Sequence, residues 1–155
     1  MARRLEATTL CVTDEAGRIA APEWLARALP VHRQLRENLP PEPDAYREVL
    51  QRVFAGGGRL TLAVEDDAVR GLALWRVVEN TCEGRRLYVD DWVTEAACRA
   101  RGVGKLLAGW LEAEARRRGC AVLALDSGVT RSGAHHFYFR EGFFIPAFCF
   151  RKLLK

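Results

Sequence analysis

The segment Arg99-Ala100-Arg101-Gly102-Val103-Gly104-Lys105 gathers two glycines and three cations where a helix begins. A helix N-terminus carries free backbone N–H groups and a partial positive charge. Glycines admit an anionic group to those N–H groups with no Cβ in the way. The turn follows a strand-like run, Leu87 to Thr94, and opens a strongly periodic helix, so the three together read as a phosphate-binding element. A Walker loop is excluded. It needs a glycine five residues before its last glycine and Ser or Thr after the lysine, whereas position 99 is Arg and position 106 is Leu.

Asp90 and Asp91 form the second centre. Adjacent carboxylates inside a strand run against β propensity, which points to use as a proton acceptor. Strand alternation sends them to opposite faces unless a bulge intervenes. A salt bridge to Arg86 or another arginine is the competing role. Asp126 and Ser127 end a short apolar run on the same rim, where each either meets a ligand or caps the turn before the next helix. His135 and His136 are neighbours, point about 100° apart on a helix and have no third ligand at metal spacing, so no metal is expected.

The order βααβββαβαβ is expected to position these groups. A first strand covers 7–13. A helix over 23–38 is kinked or divided by Pro30, and a second starts at an N-cap on Asp44 and runs to about Phe54. Three strand runs follow, Arg59 to Glu65, Ala68 to Val78 and Arg85 to Thr94, the first two joined by a tight turn at Asp66-Asp67. The glycine turn feeds a helix from about 102 to 118, with Val103, Leu106, Leu107, Trp110, Leu111 and Ala115 as its apolar stripe and Gly119 as its C-cap. Ala121 to Asp126 reads as a strand buried on both faces. A helix over Ser132 to Glu141 and a last strand over Phe143 to Lys152 complete the chain, with Pro146 implying an edge or bulge. The antiparallel front half and the parallel βαβ unit predict one mixed α/β (α+β) sheet with helices on both faces.

Composition bounds the partners. A chain of 155 residues with 49% hydrophobic and 28% charged residues fits a single globular domain over 1–155. No apolar run is long enough to span a bilayer, and no apolar stretch follows the basic start Met1-Ala2-Arg3-Arg4-Leu5, so neither membrane nor signal peptide is expected. Five scattered cysteines, without CxxC spacing, favour a reducing cytoplasm and small buried thiols. The net charge of +4, carried almost wholly by arginine, suits an anionic ligand as well as nucleic acid, and no nucleic-acid signature is present.

The chain resembles the GNAT (Gcn5-related N-acetyltransferase) superfamily. Arg99, Gly102 and Gly104 fit its Arg/Gln-x-x-Gly-x-Gly/Ala loop, Val89 to Thr94 its preceding strand, and Ala134 to Phe143 its Ala-x-x-Phe-Tyr-x-x-x-Gly-Phe segment. Leu125 to Arg131 looks closer still to a bacterial histone-acetyltransferase-like subgroup. The match is clear over 59–151 and looser before. Ala100 stands where glycine is common, Ala96 where proline is, and Trp92 is bulkier than the usual leucine.

The resemblance implies a GNAT fold and direct transfer of the acetyl group of acetyl-CoA to a primary amine. N–H groups of Arg101, Gly102, Val103, Gly104 and Lys105 would cradle the pyrophosphate, with Arg99 adding charge. Backbone near Val93 and Thr94 would pair with the pantetheine arm, and Ser127 would bond to pantetheine or substrate. Tyr138 would be the general acid beside the sulfur, and Asp90 or Asp91 the base. A small-molecule acceptor is favoured, since no separate recognition module is seen, and Glu79, Glu83, Asp90 and Asp91 would welcome a cationic amine. Relatives of this kind often dimerise, and the Phe-rich end (Phe143, Phe144, Phe148, Phe150) either contributes to a homodimer or packs in the core. The alternative is a non-catalytic acyl-CoA-binding or regulatory module on the same fold.

Overall fold

The computed structural model describes residues 6–154; the basic start lies outside the described residues. The elements are β1 (Thr8–Cys11), α1 (Leu25–Arg33), α2 (Pro43–Ala55), β2 (Arg59–Glu65), β3 (Ala68–Asn80), β4 (Gly84–Thr94), α3 (Val103–Arg117), β5 (Val122–Leu125) and α4 (Ser132–Arg140). One five-stranded sheet has the order β1-β2-β3-β4-β5. Its first four strands are antiparallel neighbours. At the entrance to β5, the Ala121 N–H donates to Arg85 O at the start of β4 (3.0 Å), so β5 runs parallel to β4 after the α3 crossover. The chain forms two compact units, one up to Ala124 and one from Leu125 onward.

Local chemistry explains the ends of these elements. Asp66 and Asp67 both take positive φ (50° and 58°) in the β2–β3 turn, the backbone a two-residue type I′ hairpin requires. Helix α1 passes through Pro30 without breaking and ends at Arg33, short of the expected 38. Helix α2 starts two residues earlier than expected: Glu42 is its N-cap, Pro43 takes the first helical position, and Asp44 lies in the first turn.

The sheet is packed on both faces. On one, Leu25, Ala28, Leu29 and Val31 of α1 and Tyr46, Leu50 and Phe54 of α2 bury against Leu60, Leu62, Leu72, Leu74 and Val93. On the other, Val103 and Leu107 of α3 bury with Ala63 and Cys98, and Trp92 packs against them. The Trp75 and Trp110 rings lie 5.6 Å apart on this face.

Two expectations fail in the later part of the chain. The strand expected over 143–152 is not formed: residues 143–154 carry no strand pairing among the described residues. A strand needs a neighbour as well as a pattern, and Pro146 removes one donor. All four residues of β5 are half-buried rather than buried on both faces. It is the last strand in the sheet order, so a neighbour covers only one edge. The cysteines also differ, since Cys98 alone is buried while Cys11, Cys82 and Cys149 are exposed.

Gly71 sets how closely α3 approaches the sheet. A Cβ there would lie 2.7 Å from Val103 Cγ1 and 2.9 Å from Val93 O. Gly71→Ala is expected to lower stability by about 1–3 kcal/mol through overpacking, measured as a drop in urea midpoint at unchanged slope.

Candidate functional site

A bulge in β4 decides where the two aspartates point. Leu74 pairs with Asp91 and Trp75 with Val89, so Asp90 is an extra residue with no partner of its own. Val89 lies opposite Trp75 and Trp92 packs on the α3-side cluster, so both face α3. Asp91 lies opposite Leu74, on the α1/α2 side. Asp90 also turns to that side. Its carboxylate accepts from Arg76 Nε at 2.7 Å, and Arg76 reaches Gly56 O at the end of α2 (3.0 Å). The bulge thus brings both carboxylates to one layer, which unbroken alternation forbids.

Asp91 sits in a buried network. His32 Nε2 is 2.8 Å from Asp91 Oδ2, and His32 Nδ1 is 2.8 Å from the Tyr46 hydroxyl. With Nε2 protonated, His32 donates to the carboxylate and accepts from the phenol, so every buried polar group has a partner. Arg36 Nε donates to Asp91 Oδ1 at 2.6 Å, and its NH2 reaches Asp90 O at 3.2 Å. Burial pushes the Asp91 carboxyl up, but His32 and Arg36 outweigh it and hold it below its ordinary value. Burial raises the Tyr46 hydroxyl, helped by the Asp91 charge. His32 and Tyr46 are 1% and 0% exposed, which makes this network the polar centre of the α1/α2 layer.

Sequence reasoning missed His32, Arg36 and Tyr46. The one available signal was a histidine within an apolar helical stripe, a position that demands a polar partner. The salt-bridge role named for the two aspartates is met, by arginines other than Arg86. Arg86 pairs with Glu83 at 3.0 Å, while Asp90 and Asp91 take Arg76 and Arg36.

The glycine turn is built as an open helix end. Gly102 is the N-cap of α3 in a left-handed conformation (φ 96°), and no side chain caps it. The first i→i−4 bond runs from the Leu106 N–H to Gly102 O (2.9 Å), so the N–H groups of Val103, Gly104 and Lys105 precede the ladder. A Cβ built at Gly102 meets nothing within 4 Å, so space in front of the turn is open. The Arg101 N–H instead bonds to Cys98 O at 3.3 Å. Ala100 holds φ 61°, a conformation glycine adopts without penalty, which explains why Ala is unusual there.

An ionic brace lies behind the turn. Glu65, 8% exposed, is 3.5 Å from Arg70 Nε and 3.9 Å from Arg101 NH2. Arg70 NH1 donates to Glu95 at 3.3 Å, and the Cys98 thiol lies 3.2 Å from the same carboxylate. Burial, then the Glu95 hydrogen bond, raises the Cys98 thiol pKa. The Arg101 side chain therefore belongs to the brace. Arg99 and Lys105 are exposed.

β4 runs on past the end of β5. β5 has four residues and enters beside Arg85, whereas β4 has eleven and starts at Gly84. At equal rise per residue β5 ends near Val89. The β5-facing edge of β4 toward Val93 and Thr94 has no described strand beside it, while its other edge pairs Val93 with Leu72 and Thr94 with Gly71.

In the unit from Leu125 onward, Tyr138 lies on α4, half-buried, with its ring centroid 5.7 Å from that of Phe143. Burial raises its phenol above the usual value, partly offset by Arg131. His135 Nε2 lies 2.9 Å from Gly128 O, which gives that histidine a structural partner. Ser127 is half-buried and Asp126 exposed, and neither caps α4, whose N-cap is Arg131.

An uncapped glycine turn at a helix N-terminus, entered from a bulged strand, presents bare N–H groups of the kind that suit an anionic group. Residues 22–143 match the model of the acetyltransferase (GNAT) family, and the chain belongs to it. It is an acetyl-CoA-dependent N-acetyltransferase by family. The chain is 36% identical over 134 residues to the uncharacterized N-acetyltransferase YhdJ of Bacillus subtilis (strain 168), covering 84% of this chain and 91% of that protein. It is 32% identical over 117 residues to glucosamine 6-phosphate N-acetyltransferase 1 of Oryza sativa subsp. japonica, covering 71% and 68% respectively. The fold superposes on the aminoglycoside N-acetyltransferase AAC(6')-Iy, solved in complex with CoA, at TM-score 0.77 and 18% identity, covering 98% of each chain.

The Asp91 network makes acid stability testable. Its carboxyl titrates below the ordinary 3.8 in the folded protein. The native state thus favours the charged form, and the stability this adds is full above the unfolded value and lost as pH falls through the folded one. Asp91→Asn is expected to be less stable at neutral pH and to flatten the decline below about pH 4. Urea midpoints between pH 2 and 7 check this; equal slopes in both proteins count against it.

Proposed function

We propose that the chain transfers the acetyl group of acetyl-CoA directly to a primary amine of a small molecule. The uncapped N-terminus of α3 carries the reading. The N–H groups of Gly102, Val103, Gly104 and Lys105 would hold the pyrophosphate, Arg99 would add charge, and Arg101 would fix the turn through Glu65. Val93 and Thr94 would pair through their backbones with the pantetheine amides as an added strand does. Ser127 would bond to the pantetheine or the acceptor.

The chemistry asks for two proton movements. The acceptor nitrogen must lose a proton to expose its lone pair, and the sulfur released when the thioester C–S bond breaks is better protonated. Tyr138 is assigned the second, since a phenol with a raised pKa stays protonated at neutral pH and has a proton to give. Asp90 is assigned the first, directly or through water. Asp91 is less suited, because a carboxyl held low by His32 and Arg36 takes a proton poorly. In this reading Asp91 and His32 position the bulge that aims Asp90.

A small amine acceptor is supported by the rice relative, whose name specifies an amino sugar phosphate. The stretch from Leu125 to Arg131 supports membership of the histone-acetyltransferase-like subgroup, a label that says little about the acceptor. A cytoplasmic location is supported by five free cysteines, three of them exposed. No helix among the described residues is long and apolar enough to cross a membrane.

Two measurements test the reading. Gly104→Trp is expected to abolish the calorimetric heat of CoA binding seen with the parent; equal heats in both remove the turn as the grip. Tyr138→Phe is expected to keep CoA affinity while lowering turnover about tenfold or more in a free-thiol release assay across an amine library. Unchanged turnover removes Tyr138 as the acid. CoA binding with no thiol release from any amine supports a regulatory acyl-CoA-binding module instead.

A further inference from the structure

On the α3 face of the sheet, at the C-terminal end of that helix, lies a cleft of about 330 Å³. Arg59 of β2, Trp75, Val77 and Glu79 of β3, Arg85 of β4 and Arg118 at the end of α3 line it. All of them belong to the unit up to Ala124. α3 has 15 residues, so at 1.5 Å per residue its far end stands about 22 Å from the glycine turn. The cleft is separate from the groups assigned to acetyl-CoA and to acetyl transfer.

Two of its three arginines are fixed in place and still have donors to spare. Arg118 Nε donates to Glu114 at 2.6 Å and Nη2 to Glu15 at 2.9 Å, and its Cζ stands 5.0 Å from the Trp75 ring centroid. Its Nη1 makes no bond among the described residues. Arg59 Nη1 donates to Gly58 O at 2.8 Å and Nη2 to Glu15 O at 3.2 Å. Gly17, at φ 81°, clamps that guanidinium, since a Cβ there would lie 2.3 Å from Nη1. Arg59 Nε is buried without a partner. Arg85 is exposed, and its side chain has no hydrogen bond or ion pair among the described residues, although Glu79 is its cross-strand neighbour. Glu15, Glu114, Arg117 and Arg118 bond to one another and balance in charge. Arg59 and Arg85 remain against Glu79, which leaves the cleft with an excess of positive charge. A purely structural ion-pair cluster would leave neither an orphaned donor nor an unneutralised guanidinium.

We propose that this cleft binds a small phosphate ester. Arg85 and the spare donors of Arg118 and Arg59 take the phosphoryl oxygens, and the organic part lies on Val77. A phosphoryl group presents several outer oxygens to separate guanidiniums, whereas the paired oxygens of a carboxylate match a single guanidinium fork. The volume is at the lower end of small-ligand sites, which excludes a nucleic acid strand or a peptide as the occupant. Glu79, exposed at the rim, repels a second phosphoryl group and accepts from a hydroxyl or amine of the ligand.

The test uses the full chain and reads each site by its own signals, so it stands whether or not acetyl transfer occurs. Glycerol phosphate titrated into the isotope-labelled protein is expected to shift the amide resonances of Val77, Glu79 and Arg85 and the indole N–H of Trp75 along one saturable curve. Glycerol, and sodium chloride at matched ionic strength, are expected to leave them in place. Arg85→Ala, which loses no contact within the fold, is expected to weaken this binding about tenfold or more. Glu79→Gln is expected to tighten it. CoA is expected to shift the amides of Val103, Gly104 and Lys105 equally in the parent and in Arg85→Ala; failure of that arm alone bears on the acetyl-CoA reading and not on the cleft. Three results overturn the proposal: cleft resonances that do not move, shifts confined to Val103–Lys105, and equal affinity in the parent and Arg85→Ala. Shifts matched by sodium chloride also overturn it, since they report ionic strength and no site.

Discussion

The bulge at Asp90 is the constraint on which the α1/α2 layer depends. One extra residue in β4 changes the parity of the strand. Val89 and Trp92 face α3, while Asp90 and Asp91 between them both face α1 and α2. Two carboxylates on one face of a buried sheet require cations, and the chain supplies them from separate elements: Arg36 just past α1, and Arg76 on β3. His32 and Tyr46 complete the arrangement from below. Removing any one of these groups leaves another buried polar atom without a partner, which is why the network ties the two helices to the sheet.

The other end of β4 follows a different logic. Where the Asp91 network pairs its polar groups with one another, the entrance to α3 leaves backbone N–H groups ahead of the helix ladder. Gly102 caps the helix without a side chain, and the brace of Glu65, Arg70, Glu95 and Arg101 stiffens the turn from behind without occupying its front. Helix ends left bare in this way are suited to an anion. In the proposed reading, rigidity behind and openness in front would let a diphosphate bind with little reorganisation.

Local signals were legible and distant ones were not. The α3 stripe, the glycine turn and the Asp66-Asp67 hairpin are encoded by residues within a few positions of one another, so periodicity and positive-φ preferences revealed them. The α2 start was displaced by two residues because Pro43 takes the first helical position and leaves Asp44 inside the first turn. The bulge depends on register between β3 and β4, which a single strand does not display, and only the Asp-Asp pair hinted at it. His32, Tyr46 and Arg36 were invisible as a group because they meet Asp91 or one another across 14 to 59 residues of sequence. Tyr138 drew its role from family likeness. A strand was expected over 143–152 with Pro146 at an edge or bulge, and none forms among the described residues, because a pattern does not supply the neighbour a strand needs.

The arginines that lace this structure together have a chemical consequence. Of 24 basic side chains, 21 are arginine and lysine occurs only at positions 105, 152 and 155. A guanidinium stays protonated at any physiological pH and is no nucleophile toward a thioester, whereas a lysine amine is the very functional group this family acylates. Salt links such as Arg36–Asp91, Arg76–Asp90 and Arg118–Glu114 therefore carry the charge of the scaffold in a form inert to its own reagent. With three lysines in 155 residues, the chain offers few side-chain amines of its own to an activated acetyl donor.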